Sequence, residues 1–291
     1  MENREACARH PDRPAATVCR RCERPICVDD AVEAPVGHQC VDCVREATPV
    51  RRLGDATPTP TVTRAFVLAI VGVALLGTTG AVDARTFGLV PALVGLGEWW
   101  RLVTSAFLHG GLIHLAFNGL LLWRLGQLLE PALGPTTFLG VTASGLAGGG
   151  LGVVGLSWLV VATPLRSMPA AAGLLGAGPV TITVGASGAV FGLMGAVLVL
   201  LRRRGIDPWA TYEGSTVGAL VLLNLVLTFV VPSISVGGHV GGLLGGAAAA
   251  TLVEIQGRRR VGDAVRTLGL AALLLAVAVA VARELVRTLT G

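Results

Sequence analysis

Long apolar stretches alternate with short polar segments along most of the chain. The stretches cover roughly 65–82, 112–129, 136–162, 187–201, 215–231, 236–253 and 266–286. Several of them approach the ~20 residues that a helix needs to cross the hydrocarbon core of a bilayer. The pattern predicts seven membrane-spanning helices, and therefore an all-α polytopic membrane protein.

The first 63 residues do not follow this pattern. They hold all six cysteines and nearly half of the charged residues, and they contain no apolar run long enough for a signal-peptide core or a membrane span. We expect residues 1–48 to form a small soluble module rather than a leader or an anchor. Residues 49–63 have the charge, proline and threonine content of an extended linker.

The composition agrees with this division. Hydrophobic residues make up 53% of the chain and charged residues 14%, and the mean hydropathy is +0.71. These values exclude a purely soluble protein. We expect the lipid bilayer to be its environment, with no nucleic-acid partner.

Arginine clusters predict the orientation in the membrane. Arg51, Arg52 and Arg64 precede the first predicted span, Arg202–Arg204 follow the fourth, and Arg258–Arg260 follow the sixth. If the spans alternate in direction, all three clusters lie on one side, which the positive-inside rule places in the cytoplasm. We expect a cytoplasmic N-terminus and an extracytoplasmic C-terminus in the plasma membrane.

The cysteines of a cytoplasmic module are more typical of a metal site than of disulfides, since thiols stay reduced there. Four pairs of candidate ligands share a spacing of two intervening residues: Cys7 and His10, Cys19 and Cys22, Cys27 and Asp30, and Cys40 and Cys43. Each such pair can supply half of a tetrahedral zinc site. The spacing predicts two structural zinc ions, which would stabilise a module too short for a hydrophobic core.

Interleaved pairing would join distant parts of the module. It places Cys7, His10, Cys27 and Asp30 on one ion, and Cys19, Cys22, Cys40 and Cys43 on the other. Since carboxylates are less common structural ligands, either Asp30 or His38 could complete the first site. No position is open for water, so we expect no metal in catalysis.

Candidate catalytic residues lie in the predicted spans, where ionisable side chains are costly. Ser187 is at the start of the fourth span and His239 is near the start of the sixth. At the helical rise they lie about 22 and 28 Å from the arginines that follow, so both are expected toward the outer side. Small residues at four-residue spacing allow the two helices to approach closely: Gly188, Gly192, Gly242 and Gly246.

The second span brings an imidazole and an amide to the same depth. His114 and Asn118 are one helical turn apart and share a face. A serine, a histidine base and an amide donor are the groups that acyl transfer requires. No acidic residue lies at the right depth to orient His239, so the sequence supports a Ser–His dyad rather than a triad. His109, at a helix entrance, is given no catalytic role.

Five motifs occur together in residues 64–256: Trp100-Arg101 in the first outer loop, His114-x3-Asn118 in the second span, Glu130 at its inner end, Gly185-x-Ser187-Gly188, and His239-x2-Gly242-x3-Gly246. In combination they resemble the rhomboid intramembrane serine proteases. The resemblance implies a six-helix protease core at 64–256. The third arginine cluster and the seventh predicted transmembrane helix follow this core, at 257–291. It also implies substrates that are transmembrane segments of other proteins.

The resemblance implies a role for each motif. Ser187 would be the nucleophile and His239 the general base, while His114 and Asn118 would form the oxyanion hole with the Ser187 backbone N–H. Gly185, Gly188, Gly242, Gly246, Trp100, Arg101 and Glu130 would support the architecture. Phe191 stands where many members have tyrosine, and its ring can still pack on His239. Gly238 replaces a frequent alanine.

The module also resembles the zinc-binding, B-box-like N-terminal region of some actinobacterial rhomboids. There the Asp30 position is usually cysteine and the His38 position usually aromatic. Two other functions remain open at this point. One is a rhomboid-like scaffold that binds membrane proteins without cutting them, and the other is a seven-span lipid hydrolase with a catalytic zinc on histidines.

Overall fold

The computed structural model describes residues 5–34, 37–46, 60–209, 212–231, 234–254 and 260–291. The chain divides into two compact units, Met1–Thr57 and Pro58–Gly291. Most of the predicted linker, and Arg258 and Arg259 of the third arginine cluster, lie outside the described residues.

The first unit consists of two small antiparallel hairpins and one short helix. Its elements are β1 (Thr17–Val18), β2 (Pro25–Ile26), β3 (Ala31–Ala34), β4 (Gly37–Cys40) and α1 (Val41–Glu46). Strand β1 pairs with β2 and β3 pairs with β4. Its buried core is a cluster of three cysteines and Ile26. So little apolar surface cannot offset the entropy of ordering the chain, and a further stabilising element is required.

The second unit is helical and contains, among its described residues, seven long helices that correspond to the seven predicted spans. In chain order the helices are α2 (Thr61–Thr78), α3 (Ala84–Phe87), α4 (Pro91–Gly95), α5 (Arg101–Thr104), α6 (Leu112–Leu133), α7 (Pro135–Ala162), α8 (Pro169–Leu174), α9 (Ser187–Arg203), α10 (Tyr212–Val230), α11 (Val236–Thr251) and α12 (Arg260–Thr290). This confirms the predicted fold class.

Four of these helices are long and apolar enough to cross a membrane by length and composition. They are Thr61–Thr78, Leu112–Leu133, Pro135–Ala162 and the Val261–Thr290 part of α12. Helices α9 and α11, with 17 and 16 residues, are shorter. Both pack along α7 in the centre of the unit, and we attribute their close contact to their glycines.

Helix α2 begins at Thr61, inside the predicted linker, because a distant carboxylate caps it. Glu130, which is only 3% exposed, accepts hydrogen bonds from the backbone N–H groups of Val62 (2.9 Å) and Thr63 (2.8 Å) and from the Thr63 hydroxyl (2.7 Å). A negative group at a helix N-terminus satisfies N–H groups that lack intrahelical partners. Glu130 thus joins the end of α6 to the start of α2.

Helix α12 also begins earlier than predicted, at Arg260 rather than 266. The Asp263 carboxylate, which is buried, accepts from the Glu254 backbone N–H at 3.2 Å and pairs with Arg266 at 2.5 Å. These contacts compensate for polar residues that the hydropathy pattern assigns to a loop. Arg203 has a related role, since it donates to the carbonyl oxygens of Ala250 (3.0 Å) and Val253 (2.6 Å) at the end of α11.

Helices α7, α9 and α11 pack with their backbones in contact. A Cβ built on Gly192 would lie 2.5 Å from the Gly145 Cα, and one built on Gly242 would lie 2.9 Å from the Gly188 Cα. A Cβ on Gly149 would lie 2.9 Å from the Gly238 carbonyl oxygen. The glycines of α7 therefore form a packing surface for α9 and α11.

Candidate active site and metal-binding clusters

Ser187 is the first residue of α9 and is partly buried. The loop before it is fixed by Gly185, whose N–H donates to the Ser105 carbonyl at 2.9 Å and whose φ is +127°. A Cβ at Gly185 would lie 2.7 Å from Cε1 and 2.8 Å from Nε2 of His114. Glycine is therefore required here both by the backbone conformation and by the approach of the imidazole.

His239 lies in the first turn of α11, which Ser235 caps by accepting from the Gly238 N–H at 3.1 Å. Its ring stacks on Phe191, with ring centroids 4.0 Å apart and planes 22° apart. Its Nδ1 lies 2.7 Å from the hydroxyl oxygen of Thr228 on α10. One face and one nitrogen of the imidazole are thus fixed by neighbouring helices.

The starts of α9 and α11 lie together. Gly188, directly after Ser187, contacts the backbones of Gly238 and Gly242, which lie on either side of His239 in the sequence. The close packing predicted from the glycine spacing is present, and it brings Ser187 and His239 to the same end of two adjacent helices. The first N–H groups of α9 have no intrahelical acceptor and can bind a negative charge at this end.

Helix α6 contributes His114 and Asn118 to the same region. Asn118 is 5% exposed, and its side-chain amide donates to the His114 carbonyl at 2.9 Å. An amide has two N–H donors, so one is left for another acceptor. The Gly110 N–H donates to His114 Nδ1 at 3.3 Å. Nδ1 is then an acceptor, and in the neutral ring the proton is on Nε2, the atom that lies beside Gly185.

Arg101 stabilises the loop next to the candidate site but does not line the site. It is 5% exposed, and its guanidinium donates to Glu98 at 2.6 Å and to the carbonyls of Arg85 and Gly88 at 2.8 Å each. Trp100 is 42% exposed. The braced loop pairs with the segment that precedes Gly185, since Leu89 and Thr183 exchange backbone hydrogen bonds of 3.0 and 2.9 Å.

Thr228 is the residue that sequence reasoning missed. It is a single hydroxyl in an apolar run, one helical turn after Asn224. Its contact with His239 depends on how α10 packs against α11, and no local sequence pattern predicts that packing.

His109 has no role in this arrangement of hydrogen bonds. It lies edge-on to His114 with ring centroids 5.1 Å apart, and neither of its ring nitrogens has a protein partner among the described residues.

The first unit contains two clusters of potential metal ligands. One cluster is formed by Cys7, His10, Cys27 and Asp30, and the other by Cys19, Cys22, Cys40 and Cys43. Within each cluster the four ligand atoms lie within 4.8 Å of one another. This grouping is the interleaved pairing derived from the spacing. His38 lies exposed on β4 and belongs to neither cluster.

The first cluster has the dimensions of a tetrahedral zinc site. His10 Nδ1 lies 3.4 Å from the Cys27 Sγ and 3.0 Å from the Asp30 Oδ2, and the Cys7 Sγ lies 3.4 Å from the same oxygen. Ligand atoms bound tetrahedrally to zinc lie about 3.3–3.8 Å apart. The two sulfur contacts fall within this range and the contact between His10 and Asp30 is a few tenths of an ångström shorter, so the donor set and the spacing fit the ion after small shifts.

The second cluster has four sulfur atoms, with the Cys22 and Cys40 Sγ atoms 3.7 Å apart. Burial opposes ionisation of Cys19, but backbone N–H groups, that of Cys40 foremost, outweigh it and lower the Cys19 pKa to about 6. Hydrogen bonding with the Cys40 thiol raises the pKa of Cys43 to about 12. The four closely spaced thiols cannot all become thiolates without a positive charge beside them, and a bound divalent cation would supply that charge.

The three histidines of the second unit do not form such a group. Among the described residues, the two groups of three or more potential metal ligands whose ligand atoms lie within 4.8 Å of one another are both in the first unit. His239 is instead bonded to Thr228, and His114 to Gly110. The geometry of the second unit therefore does not support a zinc site on its histidines.

Comparison with known proteins gives consistent matches in the second unit. The family described as Rhomboid domain matches residues 96–255. The chain is 34% identical to Rhomboid protease GluP of Bacillus subtilis over 192 residues, which are 65% of this chain and 32% of that protein. It is 32% identical to the Putative rhomboid protease YdcA of the same organism over 167 residues, which are 57% and 73% of the two chains.

A plant relative shows a similar level of identity. RHOMBOID-like protein 5 of Arabidopsis thaliana is 33% identical over 177 residues, 59% of this chain and half of that protein. The chain thus spans only about a third of GluP and half of the plant protein. The domain match covers more than half of this chain, and the multi-helix membrane architecture agrees with it. This chain is therefore a member of the rhomboid family.

Proposed function

We propose that the protein is an intramembrane serine endopeptidase that cleaves transmembrane segments of other membrane proteins with Ser187 and His239. The observation that carries the proposal is the placement of the two residues at the starts of two helices whose backbones touch at Gly188 and Gly242. The proteins GluP and YdcA, which are named as rhomboid protease and putative rhomboid protease, support the same chemistry.

In the proposed reaction His239 is the general base. Nδ1 is engaged by Thr228 and the ring is stacked on Phe191, so Nε2 remains to accept the hydroxyl proton of Ser187. The serine oxygen forms a bond to the peptide carbonyl carbon, and the carbonyl oxygen takes the electron pair. When the tetrahedral intermediate collapses, the C–N bond breaks and the proton passes from His239 to the leaving amine.

Hydrolysis completes the cycle by the reverse route. Water attacks the acyl-enzyme ester, gives a proton to His239 and forms a second tetrahedral intermediate. This intermediate collapses with release of the carboxylic acid, and His239 returns the proton to the Ser187 oxygen. The stacked ring can serve both steps without reorientation, because the same nitrogen accepts and returns the proton.

Three donors would stabilise the negative oxygen of each intermediate. They are the His114 Nε2–H, the remaining side-chain N–H of Asn118, and the backbone N–H of Ser187 at the start of α9. Preorganised donors of this kind contribute roughly 10²–10³ in rate each. The close approach of His114 Nε2 to Gly185 supports the assignment, because Gly185 is only two residues before Ser187 in the sequence.

The surroundings of the site support the proposed substrate class. Helix α10, next to the candidate site, exposes the apolar side chains of Leu222, Leu223 and Val226. We propose that a substrate helix enters laterally beside α10, unwinds, and presents its backbone to Ser187 near its outer end. The arginine pattern supports a cytoplasmic N-terminus and an extracytoplasmic C-terminus in the plasma membrane.

The first unit is proposed to hold two structural zinc ions, one in each ligand cluster. Zinc would compensate for the small hydrophobic core and fix the two hairpins relative to each other. With four protein ligands per ion, neither site keeps a position for water, so the metal takes no part in proteolysis.

Labelling by a fluorophosphonate probe tests the proposal. Detergent-purified protein, Ser187→Ala and His239→Ala are compared with and without a zinc chelator. We expect labelling of the wild type alone, unaffected by the chelator. Binding of membrane proteins by folded protein that is never labelled would favour a scaffold, and chelator-sensitive hydrolysis of a lipid would favour a metal hydrolase.

A further inference from the structure

The hydroxyl oxygen of Thr228 makes two short polar contacts that together restrict where its proton lies. It is on α10 and is 1% exposed. Its hydroxyl oxygen is 2.7 Å from the Asn224 carbonyl oxygen, one turn earlier on the same helix. The same oxygen is 2.7 Å from Nδ1 of His239 on α11.

A hydroxyl has a single proton to donate. The Asn224 carbonyl can only accept, and two oxygen atoms 2.7 Å apart need a proton between them to be attractive. The Thr228 proton therefore points to Asn224. The hydroxyl oxygen then faces His239 Nδ1 as an acceptor, so Nδ1 must be the donor and must carry a proton.

The tautomer of the imidazole follows from this arrangement. A neutral histidine has one ring proton, and with that proton on Nδ1 the lone pair is on Nε2, the nitrogen that the proposed reaction requires. We propose that Thr228 is a positioning residue that selects the catalytically competent tautomer of His239. The proposal rests on the proposed protease function for its consequence in catalysis, but not for the tautomer itself.

Thr228 would thus take the orienting part that a buried carboxylate has in a catalytic triad. A neutral acceptor suits a membrane interior, where an uncompensated charge is costly. The carboxylates at the far ends of α6 and α11 have other partners, since Glu130 caps α2 and Glu254 contacts Arg266 on α12. Among the described residues, no carboxylate makes a hydrogen bond to His239.

A threonine that bonds to a carbonyl of its own helix is not unusual by itself. Thr142 on α7 does the same, donating to the Phe138 carbonyl at 2.8 Å, and is 3% exposed. The difference at Thr228 is the second contact, across to α11. Thr142→Val is therefore a matched control that removes a buried helical hydroxyl without touching the site.

The kinetic test measures the inactivation of the full-length protein by a fluorophosphonate in detergent. Thr228→Val keeps the shape of the side chain and removes the acceptor. We expect its maximal inactivation rate to fall roughly tenfold, the equivalent of one lost buried hydrogen bond, with an unchanged probe affinity. Thr228→Ser should lie within about twofold of the wild type, and Thr142→Val should match it.

Equal rates for Thr228→Val and the wild type would overturn the proposal, as would a loss that Thr228→Ser does not restore. A loss of labelling in Ser187→Ala, together with unchanged rates in Thr228→Val, would leave the protease function intact and remove only the positioning role.

The tautomer is measured directly by NMR on protein with ¹⁵N-labelled histidine rings, with the His239 signal identified by its absence in His239→Gln. We expect a protonated Nδ1 and an unprotonated Nε2 in the wild type, and a loss of this preference in Thr228→Val. Protonation of Nε2 in the wild type would overturn the proposal. This readout needs no activity, so it decides the tautomer of the wild type even if labelling fails.

Discussion

The substitution Gly185→Ala tests whether the loop before Ser187 positions an oxyanion hole. The backbone there has a φ of +127°, a conformation that costs an alanine roughly 1–3 kcal/mol. The added Cβ would lie 2.7–2.8 Å from the His114 ring. Since ordinary van der Waals contacts begin near 3.4 Å, the imidazole of His114 must move away from the Cβ by more than half an ångström.

A displaced donor loses much of its stabilisation of the transition state. We expect the rate of fluorophosphonate labelling to fall about 10²-fold, the loss typical of one oxyanion donor. The protein should still fold, because only about 1–3 kcal/mol is lost to backbone strain. The assay combines the labelling rate with thermal unfolding in detergent.

Gly97→Ala is the matched control. Gly97 has a φ of +116°, but a Cβ built there meets nothing within 4 Å. Its backbone strain is similar to that of Gly185→Ala and it lies away from His114, so it should lose similar stability and keep its labelling rate. If both variants lost labelling equally, or if Gly185→Ala kept it, the assignment of His114 would be refuted.

Three further predictions concern stability and metal content. Glu130→Gln should destabilise the second unit by about 3 kcal/mol, because charged hydrogen bonds to the backbone and hydroxyl of Thr63 are weakened, as measured by unfolding in detergent. Asp30→Ala should lower the zinc content of purified full-length protein from two ions to one, as measured by elemental analysis. Gly246→Val should destabilise by roughly 2–3 kcal/mol in the same unfolding assay, since its Cβ would overlap the backbone of Gly192.

Each of these has a control in the same chain. Glu284→Gln removes a carboxylate that is 51% exposed and should change stability little. His38→Ala should keep both zinc ions, because His38 lies outside the clusters. Gly155→Val adds a side chain where nothing lies within 4 Å. A variant that behaved like its control would contradict the corresponding contact.

The features that the sequence predicts are those with a local or periodic signature. Hydropathy locates the seven long helices, and the paired spacing of the cysteines anticipates which pairs of ligands come together. The spacing leaves the choice between Asp30 and His38 open, and the structure groups Asp30 with the first cluster. The small residues at Gly188 and Gly242 indicate where two helices touch. In each case the pattern depends on residues within a turn or two of one another.

The features that escape prediction depend on contacts between distant segments. Helix α2 begins at Thr61 because Glu130, almost 70 residues later, accepts its first N–H groups. The partner of His239 is a threonine on another helix, and nothing near Thr228 in the sequence distinguishes it from a hydroxyl that only bonds to its own backbone. Tertiary packing assigns these roles.

The most direct test of the central claim is to map the adduct of a fluorophosphonate on the intact protein by mass spectrometry. We expect one adduct per chain, located on Ser187 in the wild type and absent from His239→Ala that is shown to be folded. An adduct on another serine, or equal labelling of His239→Ala, would contradict the Ser187–His239 dyad.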